Sequence, residues 1–238
     1  MLEHDLFFIS ETDTIFENSI ILRSKNEANH IANVMRKSVG SLIYLSDGHT
    51  CYYLVEIKQI AKREIECQIV STHDIPTSKS KIKLYNSLLK GSTFDLQIEK
   101  SVEIGVTEFC PTITDHVIAK KSKLDKWQDT IKTALKQSKQ PRIIPISEPM
   151  KLTQLSRSEN EIWIVPEIGT HTVPFHSISV ENKDISVFIG PEGGFSPREL
   201  THFEEQGATF HSLGKNRLRA ETATWVTLTL VHNLIEKY

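Results

Sequence analysis

The sequence predicts an α/β protein, a largely parallel sheet with helices, preceded by a small β-rich module. Three observations predict it. From about residue 82 to the end, strand-like and helix-like segments alternate. Before that, the chain reads mostly as strand. Between the two textures lies "STHDIPTSKSK", Ser71 to Lys81, which is polar and turn-forming and is read as a linker. Two domains are therefore expected, residues 1–71 and 72–238.

In the first domain, "NEANHIANVMRKSVG" places Ala28, Ile31, Val34 and Met35 at helical spacing and predicts a helix ending at Gly40. In "SLIYLSDGHTCYYLVEIKQI", two apolar runs flank Asp47-Gly48, a hairpin signal. "REIECQIV" alternates Ile65, Cys67 and Ile69, the period of a strand.

In the second domain, "KIKLYNSLL" and "EFCPTI" are strands around the helix "TFDLQIEKSVEIGV". That helix is expected to bury Leu96, Ile98, Val102 and Ile104 and to end near Gly105. "LDKWQDTIKTALKQS" is amphipathic, with Leu124, Trp127, Ile131 and Leu135 on one face. "EIWIV", "ISVFI" and "TFHSL" are further strands, and "TATWVTLTLVHNLIEKY" closes the chain as a helix.

Composition excludes several classes. With 39% hydrophobic and 24% charged residues, the 238-residue chain is an ordinary globular protein. It has no run of about eighteen apolar residues, so no membrane association is expected. "MLEHDLFFIS" has acids where a signal peptide needs base. Cys51, Cys67 and Cys110 form neither a disulfide framework nor a CxxC pair, which suits the cytoplasm. The histidines show no HExxH, and no metal is expected. Net charge is −2, but it is segregated: residues 79–142 carry 13 basic and 7 acidic side chains, while the flanking segments are acidic. Segregated base suits a polyanion, or alternatively a solvated helix face with snorkelling lysines.

Two loops carry the functional reading. "ISVFIG" is a buried strand by composition. Pro191, Glu192, Gly193, Gly194 and Phe195 follow, and then a helix start in capping-box form: Ser196 at the N-cap, Pro197 at N1, Glu199 at N3. Leu200 and Phe203 are expected to bury that helix, and Gly207 to end it. Strand, glycine loop and helix form a ligand-binding arrangement in a parallel sheet, or simply a tight turn needing glycine dihedrals. The P-loop and dinucleotide fingerprints both fail here. The second loop, "LGKNRLRAETATW", places Lys215, Arg217 and Arg219 on alternate residues ahead of Glu221 and the last helix. Such a loop lines phosphates, or is solvated with Glu221 favouring the helix dipole.

"IGPEGGFSPREL" followed by "LGKNRLRAETA" resembles the 16S ribosomal RNA (uracil-N3)-methyltransferases of the SPOUT superfamily. "NHIANVMRKSVGSLIYLSDG" resembles their PUA-like RNA-binding module, and "LLKGSTFDLQIEKSVEIGVTEFCP" the start of their catalytic domain. The resemblance implies a SPOUT-type parallel sheet with a C-terminal trefoil knot, a homodimer, and S-adenosylmethionine held by three loops. Carried over, these are Val165, Pro166 and Glu167; Ile189, Gly190, Pro191, Glu192, Gly193 and Gly194; and Leu213, Gly214, Asn216, Arg217, Leu218 and Arg219. The sequence departs from the family in four places: at Ser92-Thr93 behind Lys90-Gly91, at Lys136–Gln140 with Arg142 just beyond, at Asp115-His116 in place of Glu-Arg, and in the last loop, where the family's R-I-L-R reads Arg217-Leu218-Arg219 after Asn216.

The implied partner is 16S rRNA in the small ribosomal subunit or its precursor. Arg36, Lys90, Lys120, Lys121, Lys123 and Arg142 are the candidates for holding it. The uracil N3 lies on the pairing edge and carries a proton, so the base must be unpaired or flipped. A cation beside the uracil carbonyl favours the resulting anion. Arg219 is the candidate for that role, and Glu221 accepts the proton, orients Arg219, or is only a helix-start acid. The sulfonium is already activated, so the reaction needs no metal. Two other readings stand beside this one: a non-catalytic RNA-binding or ribosome-assembly factor, and a SPOUT methyltransferase acting on another RNA.

Overall fold

The computed structural model describes residues 2–62, 64–78, 80–89, 91–117, 121–168 and 172–235. The chain divides into two compact units, Met1–Thr77 with Lys132–Ile143, and Ser78–Ile131 with Ile144–Tyr238.

The first unit is a six-stranded sheet: β1 (Leu6–Phe8), β2 (Thr14–Ile15), β3 (Ser19–Leu22), β4 (Leu42–Ser46), β5 (Cys51–Ile60) and β6 (Ile65–Asp74). The strand order is β1-β4-β5-β6-β3-β2, with β1 parallel to β4 and the other pairs antiparallel. Inward positions at period two, among them Ile43, Leu45, Val55, Ile57, Ile65 and Cys67, close the core with Ile31. Burial pushes the Cys67 thiol up to about 12, so it packs as an apolar group. The β4–β5 hairpin forms at Asp47-Gly48. Asp47 Oδ1 accepts the His49 and Thr50 amides at 2.7 and 2.8 Å. Gly48 has φ +80°, and a Cβ there would run into the Ile143 side chain.

Three expectations are corrected here. The helix after Ser24 is short, α1 (Lys25–Asn29), and passes into one π-helical turn at His30–Val34. Arg36 then turns the chain at φ +52°, well before Gly40. Of the helically spaced apolar residues only Ile31 is fully buried, and Val34 and Met35 lie in solvent. The expected linker begins later than Ser71, because β6 runs to Asp74. The unit also takes in residues 132–143, which the sequence reading gave to the other domain. There, Lys136 Nζ pairs with Glu27 at 2.9 Å, Lys139 Nζ donates to the Leu2 carbonyl at 3.0 Å, and Ser46 Oγ donates to the Pro141 carbonyl at 2.7 Å.

The second unit contains β7 (Ile82–Ser87), α2 (Thr93–Ile104), β8 (Glu108–Ile113), α3 (Leu124–Ser138, shared with the first unit), β9 (Met150–Lys151), β10 (Glu161–Pro166), β11 (Asp184–Ile189), α4 (Pro197–Glu205), β12 (Thr209–His211) and α5 (Ala220–Ile235). Its sheet has the order β12-β10-β11-β7-β8-β9 and is parallel throughout. The chain adds strands on one side of β7 and then on the other, so the sheet has a switch point. An aromatic core fixes β10 and β11 to α4: Phe188 lies 4.5 Å from Trp163 and 5.0 Å from Phe203, centroid to centroid.

The helix faces differ in part from the hydropathy reading. In α2, Phe94, Ile98 and Val102 are buried together with Gln97 and Ser101, while Leu96 is 40% exposed. Gln97 is inside because it is paired: Asn86 Nδ2 donates to its Oε1 at 2.6 Å, and its Nε2 donates to Thr224 Oγ1 at 3.0 Å. This chain ties β7, α2 and α5 together. In α4 the capping box forms as expected, and Glu199 is fully buried, more so than Leu200.

At the start of β10, buried Glu161 accepts from Ser186 Oγ at 2.5 Å, Trp163 Nε1 at 3.2 Å and Lys83 Nζ at 3.2 Å. Burial alone would raise its pKa. The hydrogen bonds from Ser186 and Trp163 and the Lys83 charge outweigh burial and hold it below the usual carboxylate range. A depressed folded pKa contributes stability above the ordinary carboxylate pKa, and that stability is lost as pH falls through the folded value. Glu161→Ala is expected to cost about 3 kcal/mol at neutral pH, since it strands buried donors. Urea unfolding should also show less further loss of stability from roughly pH 5 downward in the variant than in the natural chain. Parallel acid sensitivity in the two proteins would refute the assignment.

Candidate functional site

A cleft of about 500 Å³ opens in the second unit at the carboxyl ends of β10, β11 and β12. Crevices outside the carboxyl ends of parallel strands are where such sheets bind ligands, and pockets of roughly 300–1,000 Å³ suit small organic molecules.

Three loops form it. After β10, Pro166, Glu167 and Ile168 line one wall, and the Glu167 amide donates to the His211 carbonyl at 2.9 Å. After β11, Ile189, Gly190, Pro191, Glu192, Gly194 and Phe195 line the next. That loop is folded on itself: the Gly194 amide donates to the Pro191 carbonyl at 2.9 Å, and the Phe195 ring packs on Phe203 at 4.9 Å. After β12, Leu213, Gly214, Asn216, Arg217, Leu218 and Arg219 complete the cleft, followed by Ala220, Glu221 and Ala223 of α5.

Two of the expected cofactor residues sit elsewhere. Val165 is fully buried in the core beneath the cleft. Gly193 does not line the cleft. It lies beside His116, and a Cβ on it would come within 3.2 Å of the His116 Cβ. The two glycines therefore have separate reasons: Gly193 makes room for a neighbouring side chain, and Gly194 adopts φ +71° with open space around its Cα. The alternate cations also divide. Arg217 Nη2 donates to the Glu192 carbonyl at 3.1 Å and so braces two loops. Arg219 points into solvent, its side chain 87% exposed, with Nη1 4.0 Å from Glu221 Oε1. Lys215 is exposed and does not line the cleft.

Sequence reasoning did not identify Thr93 as a site residue. It stands at the start of α2 and lines the cleft because β7 pairs directly with β11. The signal was present as a strand–loop–helix after β7, but only the pairing shows where that loop goes.

Of the residues expected to hold RNA, none of the described ones lines the cleft. Arg36, Lys121 and Lys123 are exposed. Arg142 is engaged within the first unit, donating to the His49, Ile75 and Pro76 carbonyls at 3.1–3.2 Å. Lys90 and Lys120 lie outside the described residues. No helix among the described residues is long and apolar enough to cross a membrane, and no group of three or more His, Cys, Asp or Glu among them is placed to hold a metal.

The cleft is chemically mixed. Ile168, Ile189, Pro191, Leu213 and Leu218 give apolar walls, glycine-rich backbone gives donors and acceptors, and Glu167, Glu192, Glu221, Arg217 and Arg219 give charges of both signs. It can hold a flat heterocycle against apolar walls while its polar groups meet a zwitterionic tail.

Comparison with known proteins assigns the chain. Residues 76–232 match the family model for an RNA methyltransferase domain, and residues 24–70 that for an RNA methyltransferase PUA domain. Ribosomal RNA small subunit methyltransferase E of Aquifex aeolicus is 31% identical over 76% of this chain and 81% of its own length. The protein of that name from Mesomycoplasma hyopneumoniae is 30% identical over 94% and 96%. Among solved structures, a ribosomal RNA small subunit methyltransferase E from Neisseria gonorrhoeae bound to S-adenosyl methionine superposes with a TM-score of 0.88 over 98% of both chains at 24% identity, so the two chains share one fold. With two matched domains, a parallel sheet and relatives aligned along most of its length, this chain belongs to the family of ribosomal RNA small subunit methyltransferases E.

Proposed function

We propose that the three-loop cleft binds S-adenosylmethionine and that the enzyme methylates N3 of a uridine in 16S rRNA, in the small ribosomal subunit or its precursor. The observation that carries this is convergence: three loops separated along the chain meet in one cleft of about 500 Å³, in a chain of this family. The donor set fits the cofactor, with apolar walls for an adenine ring and carboxylates and backbone groups for the charged tail. When bound, adenosylmethionine supplies an electrophilic methyl group. The residues of this chain do the rest. Pro166, Ile189, Gly190, Gly194 and Leu218 bind and exclude water from one side. Arg219 faces the open side, where it meets the uracil carbonyl and favours loss of the N3 proton. Glu221, beside it at the start of α5, takes that proton or orients Arg219.

The remaining parts of this reading rest on the family resemblance. The first unit, Met1–Thr77 with Lys132–Ile143, is the PUA-like RNA-binding domain, and the second, Ser78–Ile131 with Ile144–Tyr238, the catalytic domain. Arg36, Lys121 and Lys123 contact RNA. The enzyme is a cytoplasmic homodimer with a trefoil knot. The knot has support in the path of the chain: after edge strand β12, α5 returns to pack on α2 and β11. The test is nucleoside mapping of rRNA from a strain lacking the gene, with and without complementation, alongside calorimetry with adenosylmethionine. Loss of one N3-methyluridine, restored by complementation, is expected. An unchanged modification pattern, or no cofactor binding, would overturn the proposal.

A further inference from the structure

The loop after β8 lies outside the three-loop cleft, yet it grips the glycine loop. Glu199 joins the two through its buried carboxylate, accepting the Ser196 amide at 2.8 Å on one oxygen and the Asp115 amide at 2.9 Å on the other. Ser196 Oγ donates to Asp115 Oδ2 at 2.6 Å. These bonds fix the backbone of Asp115, and with it the next residue. His116 Nδ1 lies 3.0 Å from the Gly194 carbonyl oxygen, and its Cβ and ring occupy the space that a side chain on Gly193 would need. A carbonyl can only accept, so Nδ1 carries the proton in this contact.

We propose that His116 is a positioning residue for the glycine loop: by donating from Nδ1 to the Gly194 carbonyl it holds residues 190–194 in the shape that receives the cofactor. Other ties reach the loop from different sides. Arg217 holds the Glu192 carbonyl, and the Gly194 amide folds onto Pro191. His116 supplies the hold on the carbonyl side of Gly194, where the backbone sits at φ +71° and relaxes easily in a glycine. A loop already in its bound shape gives up less order on binding. His116 is itself exposed, so replacing it leaves no core cavity. The inference rests on the reading that this cleft receives adenosylmethionine.

His116→Ala and His116→Asn test it, because an asparagine Nδ2 stands close to where the histidine Nδ1 stood. Three measurements are made: hydrogen exchange of the 189–195 segment without ligand, adenosylmethionine affinity by calorimetry, and steady-state kinetics with rRNA. In His116→Ala the segment should exchange faster. Cofactor Kd and KM should rise roughly 3- to 10-fold, the equivalent of one hydrogen bond, with kcat at saturating cofactor unchanged and Tm within roughly 2 °C. His116→Asn should recover both exchange and affinity. Unchanged exchange in His116→Ala, or an asparagine variant as defective as alanine, would overturn the proposal. If the natural chain binds no adenosylmethionine, the cofactor reading fails, while exchange in the ligand-free protein still decides the role of His116.

Discussion

Gly194→Val is expected to lose adenosylmethionine binding altogether in calorimetry while the chain stays folded. Nothing lies within 4 Å of a Cβ placed on Gly194, so the effect does not come from a clash. It comes from the backbone. Gly194 sits at φ +71°, where a non-glycine residue costs about 1–2 kcal/mol and a β-branched one is a clear outlier. Valine escapes by rotating to negative φ. That rotation moves the Gly194 amide off the Pro191 carbonyl and swings its own carbonyl from His116. The wall of the cleft moves with it. Gly194→Ala should show the same defect in weaker form, since alanine lacks the branch. The core residues Phe188, Phe195 and Phe203 are untouched, so cooperative unfolding should persist. Wild-type affinity in Gly194→Val would show that this loop does not hold the cofactor.

Arg219→Ala is expected to slow single-turnover methyl transfer by roughly 10²-fold or more, the usual effect of removing one transition-state donor. Adenosylmethionine affinity should change little. The geometry separates Arg219 from its neighbour, because Arg217 already braces the loop through the Glu192 carbonyl. Arg219 is 87% exposed, and its contact with Glu221 is 4.0 Å long. An exposed ion pair of that kind contributes little to holding a loop. Arg219→Lys should recover only part of the rate, since a point charge does not reproduce the planar fork. A purely structural role predicts otherwise: Arg219→Ala and Glu221→Ala equally defective, the double variant no worse, and cofactor affinity reduced in all three. A rate loss confined to weaker cofactor binding would refute the catalytic assignment.

What the sequence disclosed was mostly local. The capping box of Ser196, Pro197 and Glu199 is written in four consecutive residues and formed as expected. The strand–loop–helix around Gly190–Gly194 is equally local. Long-range pairing was not legible. Thr93 enters the cleft only because β7 lies beside β11, and His116 reaches Gly194 only because β8 lies beside β7. Neither adjacency can be read from hydropathy. The α2 face was misjudged at Leu96 for a related reason. Gln97 and Ser101 are inside, and for Gln97 the cause is partners 11 and 127 residues away. Arg142 looked like part of a polyanion site by charge, yet its guanidinium serves three carbonyls of its own unit.

The discontinuity of the first unit bears on how the protein comes into being. Met1–Thr77 leaves the ribosome well before 132–143, the stretch that supplies the counter-ion of Glu27, the donor to the Leu2 carbonyl and the guanidinium that ties His49 to Ile75. Chains generally fold in units as they emerge, the amino-terminal one first. Here the amino-terminal sheet carries its whole apolar core within residues 7–69, but Lys136 and the other polar ties from 132–143 are made only after more than half of the message has been translated. A gene fragment cut at residue 77 encodes the sheet and its core without the polar clasp that 132–143 supplies.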